Sequence, residues 1–196
     1  MTIGVLGGSF CPPTIAHIEL SRACIKQGLC DKVIWVPVND AYRKKTNIPS
    51  IHRIKMVELT IKDEPGIEVS LHEMDSNDVV YTIDSLKILQ KLYPDDKLLF
   101  IAGADKMGFK WFCREEMVRD FGYIVTSRGD IDCNAMIARS SNLSKYKNNI
   151  KIVDYASDIS STMVRDQIVS TGYSDLIKPS VMEYIQDTHC FDWKLI

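Results

Sequence analysis

Long apolar runs are missing from this chain of 196 residues. Nothing in it approaches the roughly 20 consecutive apolar residues that span a bilayer as a helix. A basic leader is missing too: the chain enters a short strand-like run, Ile3 to Leu6, almost at once, which does not read as a secretory signal. There is no Cys-x-x-Cys pair. The six cysteines stand singly at 11, 24, 30, 113, 133 and 190, and no Cys/His grouping has zinc spacing. Scattered thiols of this kind predict a reduced intracellular protein, cytoplasmic or, in a eukaryote, nuclear. Charge of one sign is also in short supply: 24 Lys and Arg against 26 Asp and Glu leave a formal −2. That lacks the basic excess of a nucleic-acid binder, but small phosphorylated ligands need only a few local cations. Neither common phosphate-loop signature, Gly-x-x-x-x-Gly-Lys-Ser/Thr or Gly-x-Gly-x-x-Gly, occurs.

What is present suits one domain over residues 1–196, large enough to bury roughly 70% of its unfolded surface without a metal or disulfide staple. Apolar runs at Thr2–Leu6, Lys32–Val38, Ile67–Leu71, Lys97–Ala102, Tyr123–Thr126 and Ile150–Val153 predict six strands. The first is expected to close at Gly7-Gly8. Helices are predicted over Ile15–Gln27, Ser50–Lys62, Thr82–Leu92, Ser161–Ser170 and Pro179–Asp187. The second should bury Ile51, Ile54, Val57 and Ile61, and the third Ile83, Leu86, Leu89 and Leu92. Asn142–Asn149 is polar and reads as a loop. Strands alternating with amphipathic helices imply an α/β fold, a Rossmann-like doubly wound parallel sheet with C-terminal helices. Ligands bind such sheets outside the carboxyl ends of the strands, at the switch in strand order.

Several motifs fall on that edge. Gly7-Gly8-Ser9-Phe10-Cys11-Pro12-Pro13-Thr14-Ile15-Ala16-His17 joins the first strand to the first helix. Its glycines allow close backbone approach, and the helix N-terminus offers N–H groups and the positive end of a dipole to a phosphate. Thr14 and His17, three apart, should share a face and point at one phosphate. Gly-Gly with a capping Thr would by itself be an ordinary βα turn. Near the other end, Ile159-Ser160-Ser161-Thr162-Met163-Val164-Arg165 opens a helix that could hold a second anion, or could simply be a capped surface helix.

The first string resembles the signature of the nucleotidyltransferase superfamily, (His/Thr)-x-x-His after a Gly-rich first strand. The whole chain is most similar to the nicotinamide/nicotinate mononucleotide adenylyltransferases. The second string resembles that family's Ile-Ser-x-Thr-x-x-Arg motif, which grips the ATP triphosphate. Asn39-Asp40-Ala41-Tyr42-Arg43-Lys44-Lys45, with the later Ile48-Pro49 and His52-Arg53, is similar to the eukaryotic-type enzymes, where the bacterial nicotinate-specific ones usually show Pro-Pro-His. One departure is Cys11, where the family usually has Asp or Asn; a thiol is a weak donor, which leaves the backbone N–H as that position's contribution.

The resemblance implies transfer of the adenylyl group of ATP to nicotinamide, and also nicotinate, mononucleotide. His17, Thr14 and Arg165 would be catalytic. ATP would be held by Gly8, Ser9, Phe10, His17, Lys45, Gly103, Asp105, Arg128, Ser161, Thr162 and Arg165. The mononucleotide would meet Ser9, Tyr42, Lys44, Tyr81, Thr82 and Trp111. Several have plainer readings: Asp105 as a helix cap, Tyr81-Thr82 as another, Trp111 as a core residue. Mg²⁺ would arrive with ATP, held by its phosphates rather than by a protein cage, and the subunit could self-associate. The neighbouring possibilities are a phosphopantetheine-type adenylyltransferase and a weakly active nucleotide-binding or chaperone-like relative.

Overall fold

The computed structural model describes residues 1–42, 48–104, 114–126 and 132–191. Six strands, β1 (Thr2–Gly8), β2 (Lys32–Pro37), β3 (Ile67–Val69), β4 (Lys97–Gly103), β5 (Tyr123–Thr126) and β6 (Ile150–Val153), form one sheet in the order β3-β2-β1-β4-β5-β6. Every pairing is parallel. The expected α/β sheet is therefore present, and its order reverses between β1 and β4, the point at which sheets of this kind bind ligands beyond the carboxyl ends.

Parallel sheets are covered on both faces, which is why these strands read as unbroken apolar runs. Alternate residues serve opposite cores. Ile3, Val5, Ile34, Val36, Leu98, Phe100, Tyr123 and Val125 pack under α3 (Thr82–Leu92), α4 (Arg114–Asp120), α5 (Cys133–Arg139) and α6 (Ser141–Lys145). Leu6, Val33, Trp35, Leu99, Ile101 and Ile124 pack under α1 (Ile15–Lys26) and α2 (Ser50–Ile61). A third core joins α2 to α7 (Ser161–Thr171) and α8 (Pro179–Thr188), with Cys11 of the first loop at its edge. Buried Glu64 adds a clamp: its carboxylate meets Arg22 at 2.8 Å and Lys178 at 2.6 Å.

Four expectations need correction. Asn142–Asn149 is not a loop: Ser140 accepts from the N–H of Leu143 and starts α6, and a 3-10 turn at Lys147–Asn149 follows. One buried residue, Leu143, anchors that helix, too few for a periodic signal. The first strand does not stop at Leu6: it closes at Gly8, with Gly7 and Gly8 paired to Val36 and Pro37, and the chain turns at Phe10, whose φ is 45°. On α2 the buried face is Arg53, Met56, Val57 and Thr60, while Ile51 is 71% exposed. On α3, Leu92 is exposed. The Ile83, Leu86 and Leu89 stripe is buried as expected. Among the described residues no helix is long and apolar enough to cross a membrane. Cys24 and Cys30 are buried free thiols.

Candidate active site

The loop after β1 is built in layers. Phe10 lies flat on Trp35, with ring centroids 4.9 Å apart and planes 3° from parallel. A Cβ at position 8 would touch that ring in ordinary contact at 3.4 Å, so the strand end and Phe10 are packed against each other. The ring is buried, so Phe10 can offer a ligand only its backbone. His17 stands beside both rings, 5.2 Å from Phe10 and 5.8 Å from Trp35. Trp35 Nε1 donates to Ser21 at 2.9 Å, and the Ser21 hydroxyl donates to the His17 carbonyl at 2.8 Å. The imidazole thus rests on a packed aromatic floor, and its backbone is tethered to that floor.

Thr14 is the N-cap of α1 and is buried. Its amide N–H donates to His17 Nδ1 at 3.0 Å, and its Oγ1 lies 2.8 Å from the same nitrogen. The arrangement is a capping box with His in place of the usual Glu or Gln. An amide N–H can only donate, so Nδ1 accepts, and the proton of the neutral ring sits on Nε2. Thr14 therefore turns its hydroxyl to the ring of His17 rather than standing beside it toward a shared phosphate.

Two buried arginines hold the loop's carbonyls. Arg165 on α7 donates from Nη1 to the Cys11 carbonyl at 2.8 Å and from Nη2 to Thr162 Oγ1 at 2.9 Å. Its Nε is buried without a partner. Ser161 donates to the Pro12 carbonyl at 2.8 Å, while Ser160 caps the helix by accepting from Met163. The second arginine is Arg53, wholly buried on α2. It donates from Nε to the Ile48 carbonyl at 3.0 Å and from Nη1 to the carbonyls of Ser9 and Val38 at 3.1 and 2.8 Å. Its Nη2 donates to Asp40 at 2.9 Å. Burial would push the Asp40 carboxyl up, but the hydroxyl and N–H of Ser50 and the guanidinium of Arg53 outweigh it and hold it below the ordinary carboxylate value. Carbonyls 9, 11 and 12 are thereby drawn to donors, and two cationic side chains lie under the loop.

Arg53 is the residue that the sequence reading passed over, naming it only within a resemblance. Its signal was there: it sits at the head of the i, i+3, i+4, i+7 series Arg53, Met56, Val57, Thr60.

Beyond β2, Asn39 is buried, and its amide nitrogen donates to the carbonyls of Glu73, Ser76 and Asp78 at 3.1, 2.9 and 2.7 Å. This ties the segment ahead of α3 to the end of β2. Tyr81 is the N-cap of α3 and is exposed; Thr82 is the first helical residue. Tyr42 is 41% exposed beyond β2, and Gly103 closes β4. The Ser9 hydroxyl is buried and unpartnered. Gly8, Ser9, Thr14, His17, Ser161, Thr162 and Arg165 thus converge on one loop, with Gly103 at the end of the central strand next to β1. Lys44, Lys45, Asp105, Trp111 and Arg128 lie outside the described residues. Among the described residues no group of three or more His, Cys, Asp and Glu side chains could cage a metal.

Comparison with known proteins agrees with this geometry. The cytidylyltransferase-like family model matches residues 5–167. The chain is 33% identical over 189 residues to a probable nicotinate-nucleotide adenylyltransferase of Carboxydothermus hydrogenoformans, covering 93% of this chain and 94% of the relative. It is 28% identical over 197 residues to the nicotinate-nucleotide adenylyltransferase of Bacillus subtilis, covering 97% and 98%. In fold it is similar to the Plasmodium falciparum nicotinic acid mononucleotide adenylyltransferase complexed with NaAD, with a TM-score of 0.74, 21% identity and coverage of 100% and 99%. The chain belongs to the cytidylyltransferase-like family and, within it, to the nicotinate-nucleotide adenylyltransferases.

Proposed function

We propose that this protein transfers the adenylyl group of ATP to nicotinate mononucleotide, forming the deamido dinucleotide and releasing pyrophosphate. The observation that carries the reading is His17. Its ring is held on aromatic walls, and Thr14 occupies Nδ1, so that Nε2 bears the proton at the start of α1. A fixed N–H donor at a helix N-terminus suits a phosphate that gains charge.

The 5′-phosphate of the acceptor is already an anion and needs no general base. It attacks the α-phosphorus of ATP in line, and catalysis is positioning plus charge stabilisation. His17 donates to the α-phosphate. The loop backbone at Gly8, Ser9 and Phe10 approaches the triphosphate, with Gly103, Asp105, Lys45 and Arg128 as further ATP contacts. Ser161, Thr162 and Arg165 serve the leaving pyrophosphate, and Arg165 does so while anchored to the Cys11 carbonyl. Tyr42, Lys44, Tyr81, Thr82 and Trp111 receive the mononucleotide, and Ser9 faces both substrates. A Mg²⁺ accompanying ATP would be held by the phosphate oxygens.

The choice of acceptor follows the relatives. The likeness of Asn39 to Lys45 to the eukaryotic-type enzymes implies only that both pyridine forms are accepted; the relatives above carry nicotinate names. The N-terminal turn of α3 at Thr82 favours a pyridine carboxylate over a carboxamide through the helix dipole. A crystal grown with the deamido dinucleotide tests the reading. The α-phosphate is expected within hydrogen-bond reach of His17 Nε2 and the pyridine near Thr82; a dinucleotide seated away from the loop after β1 would overturn it.

A further inference from the structure

We infer that Arg53 is a positioning residue for adenylyl transfer: its guanidinium sets the spacing between the loop that carries the nucleotide phosphates and the loop that receives the acceptor. The inference rests on the function proposed above. The sheet controls that spacing only up to a definite point. β1 and β2 are paired as far as Gly8 and Pro37, and the N–H of Val38 donates to the Gly8 carbonyl at 3.0 Å. The next residues in register are Ser9 and Val38. No strand bond joins them; Arg53 Nη1 does, bonding both carbonyls. The guanidinium acts as one more rung of the ladder, placed where the two chains leave the sheet.

The remaining nitrogens extend the same frame. Nη2 holds Asp40, two residues beyond Val38, and Nε holds Ile48, where the chain returns toward α2. A planar, rigid group with fixed donor directions can keep these four acceptors, on three segments, in one geometry; a lysine, with its donors at a single point, cannot. Core filling does not explain it, because burying a guanidinium is costly unless its directions are met, and Met56 and Val57 on the same face fill space without that cost. Nor is the carboxylate part of the core, since the Asp40 side chain is 56% exposed. Asp40 lies instead on the stretch leading to Tyr42, one of the proposed acceptor contacts. In-line transfer depends on the distance between the acceptor phosphate and the α-phosphorus, and a displacement of about 1 Å can cost roughly 100-fold in rate.

The test is initial-rate kinetics of the full-length protein with ATP and nicotinate mononucleotide, for wild type, Arg53→Lys and Asp40→Asn, with a thermal unfolding curve for each. Arg53→Lys is expected to lower kcat roughly 10- to 100-fold while the KM for ATP stays within about threefold. Asp40→Asn leaves the three backbone bonds of Arg53 in place. It is expected to raise the KM for the mononucleotide about threefold or more, with a smaller effect on the KM for ATP. A folded Arg53→Lys enzyme with wild-type kcat overturns the inference. So does an Asp40→Asn enzyme with an unchanged KM for the mononucleotide, which decides the matter even where Arg53→Lys fails to fold. Wild-type protein that releases no pyrophosphate with the mononucleotide overturns the functional reading itself; active wild type with indifferent variants overturns this inference alone.

Discussion

The amide of Thr14 holds Nδ1 of His17 at 3.0 Å, so one backbone group decides which nitrogen of the imidazole carries its proton. A helix cap and a proposed catalytic donor are here the same interaction. His17→Ala should cut turnover by roughly 100-fold or more, the usual effect of deleting a preorganised donor. Losing the capping contact should cost only about 1 kcal/mol of stability. Steady-state kinetics beside a denaturant melt check both; near-normal turnover in folded His17→Ala would remove the role given to this ring.

Arg165 joins α7 to the loop as well as facing the proposed pyrophosphate. Arg165→Met keeps the length of the side chain and leaves the buried Cys11 carbonyl without its donor. Stability should fall by about 1–3 kcal/mol, and the KM for ATP should rise. An arginine that merely reached into solvent toward phosphate would leave stability unchanged, so urea unfolding distinguishes the two.

Glu73 gives the protein a stability that depends on pH. Burial pushes its carboxyl up from 4.5 to about 7, against the opposing hydrogen bonds from the Ser85 side chain and the Asn39 backbone. Below 4.5 both states hold the proton and the contribution is complete. Between there and about 7 the unfolded chain has released its proton while the folded one keeps it, so stability falls as pH rises. Glu73→Gln should abolish that fall and leave the variant roughly 2 kcal/mol more stable than wild type at pH 8. Unfolding curves for the two proteins at pH 5 and pH 8 measure the difference; equal gaps at both pH values would contradict it.

Gly122 precedes β5 with φ at 101°, and a Cβ there would run into the carbonyl oxygen of Asn149. Gly122→Ala should cost about 2 kcal/mol or more, since strain and clash add. Activity per folded molecule should persist, because the position lies at the opposite end of the sheet from the loop after β1. A drop in thermal midpoint with unchanged kcat is the expected signature.

The strands were legible because a sheet covered on both faces needs unbroken apolar runs, and Lys32–Pro37 and Lys97–Gly103 supply them. The short helices α4, α5 and α6 were not, since each has room for only one or two buried anchors, such as Met117 and Val118 or Leu143. Around the site, His17, Thr14 and Arg165 were singled out because the strings that carry them resemble family motifs and fall after the first strand and at a helix start. What these residues do to one another was not. Thr14 pinning Nδ1, Arg165 reaching the Cys11 carbonyl and Arg53 bridging Ser9 to Val38 join side chains to backbone groups up to 154 residues away. Spacing along the chain carries no record of such pairings. Arg53 also ran against the rule that buried helix faces are apolar, which four hydrogen bonds make tolerable.

The most direct test of the account is the product formed from ATP when the purified protein is offered nicotinate mononucleotide, nicotinamide mononucleotide and phosphopantetheine separately. The account predicts deamido dinucleotide and equimolar pyrophosphate with the nicotinate acceptor, at a kcat/KM above that for the nicotinamide form, and no transfer to phosphopantetheine. Transfer to phosphopantetheine, or no pyrophosphate with either pyridine nucleotide, would contradict it.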